Sequence, residues 1–162
     1  MKKAVALLLA LASLALLNYY AFVKGTVLFA IPDFFSVLAQ VTRGTAQFPT
    51  FIQSLGDAFT AIGVIFLSVG TFWVALEIAF SKNKEFTAII SKTPIVFLSV
   101  GTGIYFGAQF AHAFADVLLL DFYSLIVDGL LAIAFLEFTL TLLRYLQMKT
   151  ERFEFSLKLS RL

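Results

Sequence analysis

The 162-residue chain contains no cysteine and only one histidine. It therefore has no disulfide, no thiolate metal ligand and no cysteine nucleophile. One histidine excludes a bis-histidine haem site within a single chain, and no Glu-x-x-His pair of the di-iron carboxylate type occurs. Phosphate-binding glycine loops, nucleophile elbows and metal-protease motifs are also absent. We therefore expect no cofactor, no bound metal, no catalytic residue and no enzymatic activity.

Charge is scarce as well. Charged residues make up 14% of the chain, whereas soluble domains carry about 25%. Hydrophobic residues make up 60%, and the mean hydropathy is +0.95. The 20 phenylalanines suit lipid contact and helix packing, and the net charge of +2 is too small to indicate nucleic acid binding. The expected partner is a lipid bilayer.

Four apolar segments are each long enough to cross a bilayer, which takes about 20 residues. They lie at about 4–23, 57–80, 94–115 and 122–143. The first resembles a signal peptide, yet it continues to Val23, and bulky Tyr19 precedes the best cleavage residue, Ala21. We therefore expect an uncleaved first helix. The predicted fold is all-α, an integral membrane four-helix bundle forming a single domain over residues 1–162.

The segment between the first two spans is predicted to hold a short amphipathic helix in the membrane interface. Pro32 interrupts the apolar run, and Asp33, Ser36 and Gln40 then share one helical face.

Helix caps are predicted at the start of the last three spans. A capping box at Thr50 and Gln53 is expected to open the second span. Thr93 with Pro94 is expected to open the third, and Asp121 the fourth.

Basic residues are distributed asymmetrically. With four crossings, ten of the twelve Lys and Arg residues fall on one side, at the N-terminus, in the 81–92 loop and from Arg144 onwards through the 150–162 tail. The positive-inside rule then places both termini in the cytoplasm of a cell (inner) membrane protein.

Glu77, Glu137 and Arg144 form a candidate intramembrane ion site. Ionisable groups within the hydrocarbon cost roughly 2.5 to 3.5 kcal/mol, so each needs a partner or a purpose. Glu137 and Arg144 are seven residues apart and share a helical face, while Gly63, Gly70 and Glu77 form another seven-residue series. A structural pair of Arg144 with either glutamate and a proton or cation site both fit this pattern.

The third span carries five polar residues on one face, here called the polar stripe: Ser99, Thr102, Gln109, His112 and Asp116. It is a candidate polar path through the membrane, because several of its side chains are longer than helix packing requires. The alternative is an interfacial cap that bonds to lipid headgroups. His112 and Asp116 are one turn apart, a spacing that allows a hydrogen bond between them.

Two sequence features indicate close helix packing. Residues 66–71 and 97–102 carry the same six letters, Phe-Leu-Ser-Val-Gly-Thr, on neighbouring antiparallel spans. Gly103 and Gly107 have GxxxG spacing. We expect small residues at these positions to let helices approach closely.

The tail alternates strictly between polar and apolar residues over positions 152–159. This period of two is typical of a strand, which cannot stand alone in water. Pairing with a partner edge, pairing with another copy and a disordered tail along the headgroups all remain open.

Residues 125–159 resemble part of the PsiE-type family of small phosphate-starvation-inducible membrane proteins. In that family a helix carrying a glutamate ends in a basic residue and a tyrosine, matched here by Glu137, Arg144 and Tyr145. The resemblance covers about a fifth of the chain and implies a multi-span membrane protein, without implying a biochemical mechanism.

The expected function is that of a non-enzymatic oligomeric membrane protein, as a homo-oligomer or with other membrane subunits. One hypothesis is a small ion or solute permeation or transport unit. The other is a membrane-anchor or accessory subunit of a larger respiratory or secretion complex.

Overall fold

The computed structural model of the chain describes residues 2–80 and 91–134, together with positions 136, 137, 140 and 144. Five helices account for nearly all of the described segments. Three of these helices are long and apolar enough to cross a membrane: Lys3–Val23, Phe48–Phe80 and Thr93–Leu119. Of the predicted fourth span, the structure describes an apolar helix over Phe122–Ala134. The 81–90 segment and the 150–162 tail lie outside the described residues.

The first helix, α1, spans Lys2–Asn18 and continues as a wider π-helical turn over Tyr19–Val23. The turn closes with a hydrogen bond from the Lys24 amide to the Tyr19 carbonyl, at 2.9 Å. At about 1.5 Å per residue, the 21 residues from Lys3 to Val23 reach about 30 Å, the thickness of the hydrocarbon core. The predicted first apolar helix is therefore confirmed.

The second helix, α2, spans Thr26–Thr42 without a break at Pro32. The prediction that a helix starts only after this proline was wrong. Proline removes one backbone hydrogen bond, but packing against the next helix sustains the segment, where the Phe34 and Phe51 rings lie 5.7 Å apart. Gly25 permits the sharp change of direction before α2 because its φ of 70° lies in the left-handed region.

The third helix, α3, spans Phe48–Phe80 and so begins nine residues before the predicted span. The capping box at Thr50 was wrong, because Thr50 already lies inside the helix, where the Phe51 amide donates to the Gln47 carbonyl. Pro49 fits the first turn, where backbone amides need no helical partner. At about 50 Å, α3 is longer than the hydrocarbon core is thick.

The fourth helix, α4, spans Lys92–Leu119 with Ser91 at its N-cap position, so the cap predicted at Thr93 was wrong. Leu120, at a φ of 58°, ends α4 in the left-handed conformation that glycine usually supplies. The last helix, α5, spans Phe122–Ala134. Its predicted cap is confirmed, because Asp121 accepts hydrogen bonds from the Ser124 amide at 3.2 Å and the Ser124 hydroxyl at 3.0 Å.

Helix α3 is the centre of the fold, since α1, α2 and α4 all pack against it. Helix α1 lies antiparallel to it. Ala6 packs with Val74 and Ile78 near one end, and the Ser13 hydroxyl donates to the Ser68 carbonyl at 2.7 Å further along. These contacts use small residues, so the two backbones lie close together.

Four positions of α3, each seven residues from the next, face three positions of α4 and its N-cap residue, which have the same spacing. We call these pairs the glycine register: Gly56 with His112, Gly63 with Tyr105, Gly70 with Leu98, and Glu77 with Ser91. A Cβ atom on any of the three glycines would come within 2.9–3.0 Å of α4. The register fixes α3 and α4 as a tightly packed antiparallel pair.

The two copies of the six-residue repeat, one on α3 and one on α4, contact each other where these helices pack together. The glycine of each copy contacts the leucine of the other, Gly70 with Leu98 and Gly101 with Leu67, and the rings of Phe66 and Phe97 stack with centroids 5.3 Å apart. Because each contact has a counterpart on the other helix, the two copies are related by an approximate local two-fold axis. The prediction that the repeat serves close antiparallel packing is confirmed.

Candidate functional site

The polar stripe of α4 faces the inside of the bundle. Thr102 is fully buried, and its hydroxyl donates to the Leu98 carbonyl of the same helix at 2.7 Å. Gln109 is 5% exposed, and the buried hydroxyl of Ser99 has no hydrogen-bond partner. Within this chain, much of the stripe is occupied by packing against neighbouring helices.

His112 contacts α3, where its ring lies against the backbone of Gly56. Its Nε2 atom is 3.6 Å from Oδ1 of Asp57. The hydrogen bond that the spacing of His112 and Asp116 allows is not formed. The missing side chain at Gly56 opens space for the imidazole on α3, and this brings the ring to Asp57, which the sequence did not mark as a partner.

A pair of tyrosines joins α1 to α4. The hydroxyl oxygens of Tyr20 and Tyr105 lie 2.6 Å apart, and their rings meet edge to face. Sequence reasoning missed this pair. The available signal was the spacing of Ala6, Ser13 and Tyr20, which are seven residues apart and all face the bundle.

Glu77 lies where the end of α3 meets the start of α4. Its carboxylate accepts the Ser91 amide at 2.7 Å, the Ser91 hydroxyl, and the Trp73 indole N–H at 3.1 Å. Among the residues that the structure describes, these three donors satisfy the carboxylate. Glu77 is therefore a structural group that holds the start of α4 against the end of α3.

Glu137 and Arg144 are both exposed. The structure describes only Leu140 among the six residues that separate them. Their predicted pairing therefore stays a prediction, while the alternative pair of Arg144 with Glu77 is disfavoured by the three donors that Glu77 already has.

A shallow apolar groove is lined by residues of both α3 and α4. We call it the α4 groove, with a volume of about 240 Å³ and five lining residues: Phe59, Ile62, Gly103, Ile104 and Gly107. A Cβ atom on Gly103 would meet no atom within 4 Å, and one on Gly107 would meet only Phe59, at 3.9 Å. The GxxxG pair is therefore left open, whereas Gly101 of the same helix is in close contact with Leu67 and Phe66 of α3.

Among the residues that the structure describes, no group of three or more His, Cys, Asp or Glu side chains is placed to hold a metal ion. No protein-family model, no curated protein and no solved structure matches the chain. The resemblance to PsiE-type proteins stays a prediction, and much of the segment on which it rests lies outside the described residues.

Proposed function

We propose that this chain is a non-enzymatic integral membrane protein that works as a homo-oligomer, with the α4 groove as the contact between copies. The three long apolar helices support the membrane assignment. The open GxxxG pair supports self-association, because small residues let transmembrane helices approach closely.

The groove has the composition that helix contacts in lipid require. Gly103 and Gly107 of α4 line it together with Phe59 and Ile62 of α3. Lipid tails are as apolar as these side chains, so association in a bilayer depends on close van der Waals packing. A flat backbone surface beside bulky side chains supplies that packing to an approaching helix.

A second copy of α4 is the proposed occupant. Two GxxxG faces can cross with glycine against glycine, so one sequence supplies both sides of a symmetric contact. The rival occupant is a helix of a foreign membrane subunit, as expected for an anchor or accessory subunit. Burial of Thr102, Gln109 and Asp116 disfavours a water path along the polar stripe of a single chain.

The mass of the detergent-extracted protein tests this proposal. We expect a homo-oligomer for the natural chain and a monomer for Gly103→Ile, whose side chain would fill the groove. Gly129→Ile is the matched control, because a Cβ atom at Gly129 also meets nothing within 4 Å but lies on α5. Co-purified foreign chains would instead support the anchor function, and a monomeric natural chain would contradict the proposal.

We also propose four crossings with both termini in the cytoplasm, supported by the asymmetry of the basic residues. A cysteine introduced at exposed Thr45 should react with an impermeant thiol reagent in intact cells. Cysteines at Asn83 and Ser160 should react only after the membrane is opened. Labelling of position 83 from outside would contradict this topology.

A further inference from the structure

Helix α2 has three distinct faces. One contains buried Ala30 and half-buried Phe34, whose ring lies against Phe51 of α3. Another is polar and exposed, and on it the Gln40 side-chain amide donates to the Ser36 hydroxyl at 3.4 Å. The third, which we call the α2 apolar face, consists of four side chains that are 36–61% exposed: Leu28, Ile31, Phe35 and Leu38. Their spacing of three, four and three residues places them on one side of the helix.

The end of α1 fixes the depth at which α2 begins. With its π-helical turn, α1 is about as long as the hydrocarbon core is thick, so Val23 reaches the membrane surface when α1 spans the core. Gly25 then changes the direction of the chain, and α2 begins at the next residue. Helix α2 therefore begins at the level of the lipid headgroups.

Helix α3 continues past the end of α1 on the same side. Val23 lies ten residues, or about 15 Å, beyond Ser13, which is hydrogen-bonded to Ser68 of antiparallel α3. The same distance along α3 from Ser68 ends about ten residues after the start of α3, so these first residues project beyond the core. Phe34, the middle residue of α2, packs against Phe51 in this projecting segment. Helix α2 therefore lies beside the projecting segment and does not return through the core.

Basic residues flank α2 at both ends. Lys24 precedes the helix and Arg43 follows it, and both are exposed. They are the two basic residues that the proposed topology places opposite the other ten. The ion pair that the structure shows among its described residues joins His112 to Asp57, so neither cation is neutralised by a carboxylate of the described segments. Each cation also follows a helix C-terminus, where positive charge is favourable, and this capping role needs no partner.

We propose that α2 lies in the headgroup layer of the bilayer, with its apolar face against the acyl chains and with Lys24 and Arg43 bound to lipid phosphate groups. Burial of an apolar helix face and attraction between cations and headgroups are the two contributions that hold a helix in this layer. Long basic side chains reach the headgroups while their methylene groups stay on apolar surface. The proposal rests on the membrane assignment made above and is independent of self-association.

Electron paramagnetic resonance of spin-labelled full-length chain in phospholipid vesicles tests the position of α2. The chain has no cysteine, so one label reports one site. The label at Phe35→Cys should be accessible to oxygen, which concentrates in the acyl region. The label at Ser36→Cys, one residue away on the polar face, should be accessible to a water-soluble nickel chelate. Val69→Cys, at a 41% exposed position of α3, is the control and should show the oxygen accessibility of the hydrocarbon core.

This control separates two kinds of failure. Nickel accessibility at position 69 would contradict the membrane assignment itself. Oxygen accessibility at position 69 with nickel accessibility at both 35 and 36 would place α2 in water and overturn the present proposal alone. Oxygen accessibility at both 35 and 36 would place α2 inside the core and would also overturn it.

The phosphate contacts are tested by charge and by lipid. In vesicles of phosphatidylcholine and phosphatidylglycerol, Lys24→Gln combined with Arg43→Gln should lower the oxygen-to-nickel ratio at position 35. Lys3→Gln should leave the ratio unchanged, because exposed Lys3 lies at the opposite end of α1. In vesicles of digalactosyldiacylglycerol, which has no phosphate, the natural chain should show the same lowered ratio. A double variant that keeps the natural ratio, or equal ratios for the natural chain in both lipids, would overturn phosphate binding and leave the two cations as helix caps.

Discussion

Alanine substitutions at Gly101 and Gly103, two residues apart on α4, should change stability in opposite directions. A Cβ atom at Gly101 would lie 2.9 Å from the Leu67 backbone nitrogen and 3.0 Å from the Phe66 Cβ atom. Backbone cannot rotate away as the end of a side chain can, so α3 and α4 must separate. At Gly103 the added methyl group enters open space.

The size of the difference follows from two opposing effects. Replacing glycine by alanine within a helix favours folding by about 1 kcal/mol, and this gain applies equally to both positions. Overpacking a close contact costs about 1–3 kcal/mol, and this cost applies only at Gly101. We expect Gly103→Ala to stabilise the fold by up to about 1 kcal/mol. Gly101→Ala should leave the protein about 1–3 kcal/mol less stable than Gly103→Ala.

Reversible unfolding in mixed micelles measures both free energies. The protein is diluted until it is monomeric, so that the α4 groove does not contribute. Gly63→Ala serves as a second close-contact variant, because its Cβ atom would lie 3.0 Å from the Tyr105 backbone nitrogen. Equal stabilities for Gly101→Ala and Gly103→Ala would refute the close contact of Gly101 with Leu67 and Phe66 of α3.

Three further changes test the ends of the helices. Glu77→Gln should lower the free energy of unfolding by about 1 kcal/mol, because charged hydrogen bonds to Ser91 become neutral ones; exposed Glu137→Gln is the control. Leu120→Gly should raise the free energy of unfolding by about 1 kcal/mol, because glycine adopts the left-handed conformation without the strain that leucine has there. An unchanged free energy of unfolding would count against strain at this position. Hydrogen bonds from Ser124 lower the pKa of Asp121, so its stabilising effect is present above about pH 4 and is lost as pH falls through the lowered value. Thermal unfolding should show that Asp121→Asn removes this acid-induced loss.

Much of the fold could be predicted because apolar length and helical spacing are properties of the local sequence. An apolar run that crosses a bilayer must satisfy its backbone hydrogen bonds internally, as a helix does. The run from residue 4 to Val23 forms a helix of the expected length. The cap at Asp121 could also be predicted, because a capping side chain bonds to the backbone of the helix that directly follows it. The identical copies of the repeat indicated a contact between the helices that carry them.

The predictions that were wrong have a common cause. Each of them depends on contacts between helices, which the local sequence does not show. A proline such as Pro32 would break an isolated helix, but α2 stays helical at this position because it packs against α3. The partner of His112 depends on the register that brings Asp57 beside it. Gly56 could have been found by extending the series of Gly63, Gly70 and Glu77 by seven residues.

Disulfide cross-linking in native membranes tests the central claim, self-association through the α4 groove, most directly. The chain has no cysteine, so a single Gly103→Cys substitution reports one contact without background. Two such cysteines should meet across the proposed interface, where Cα atoms must approach within about 4.4–6.8 Å for a disulfide to form. Mild oxidation should therefore give a dimer for Gly103→Cys and little for Gly129→Cys. No dimer at position 103, or equal yields at both positions, would contradict the account.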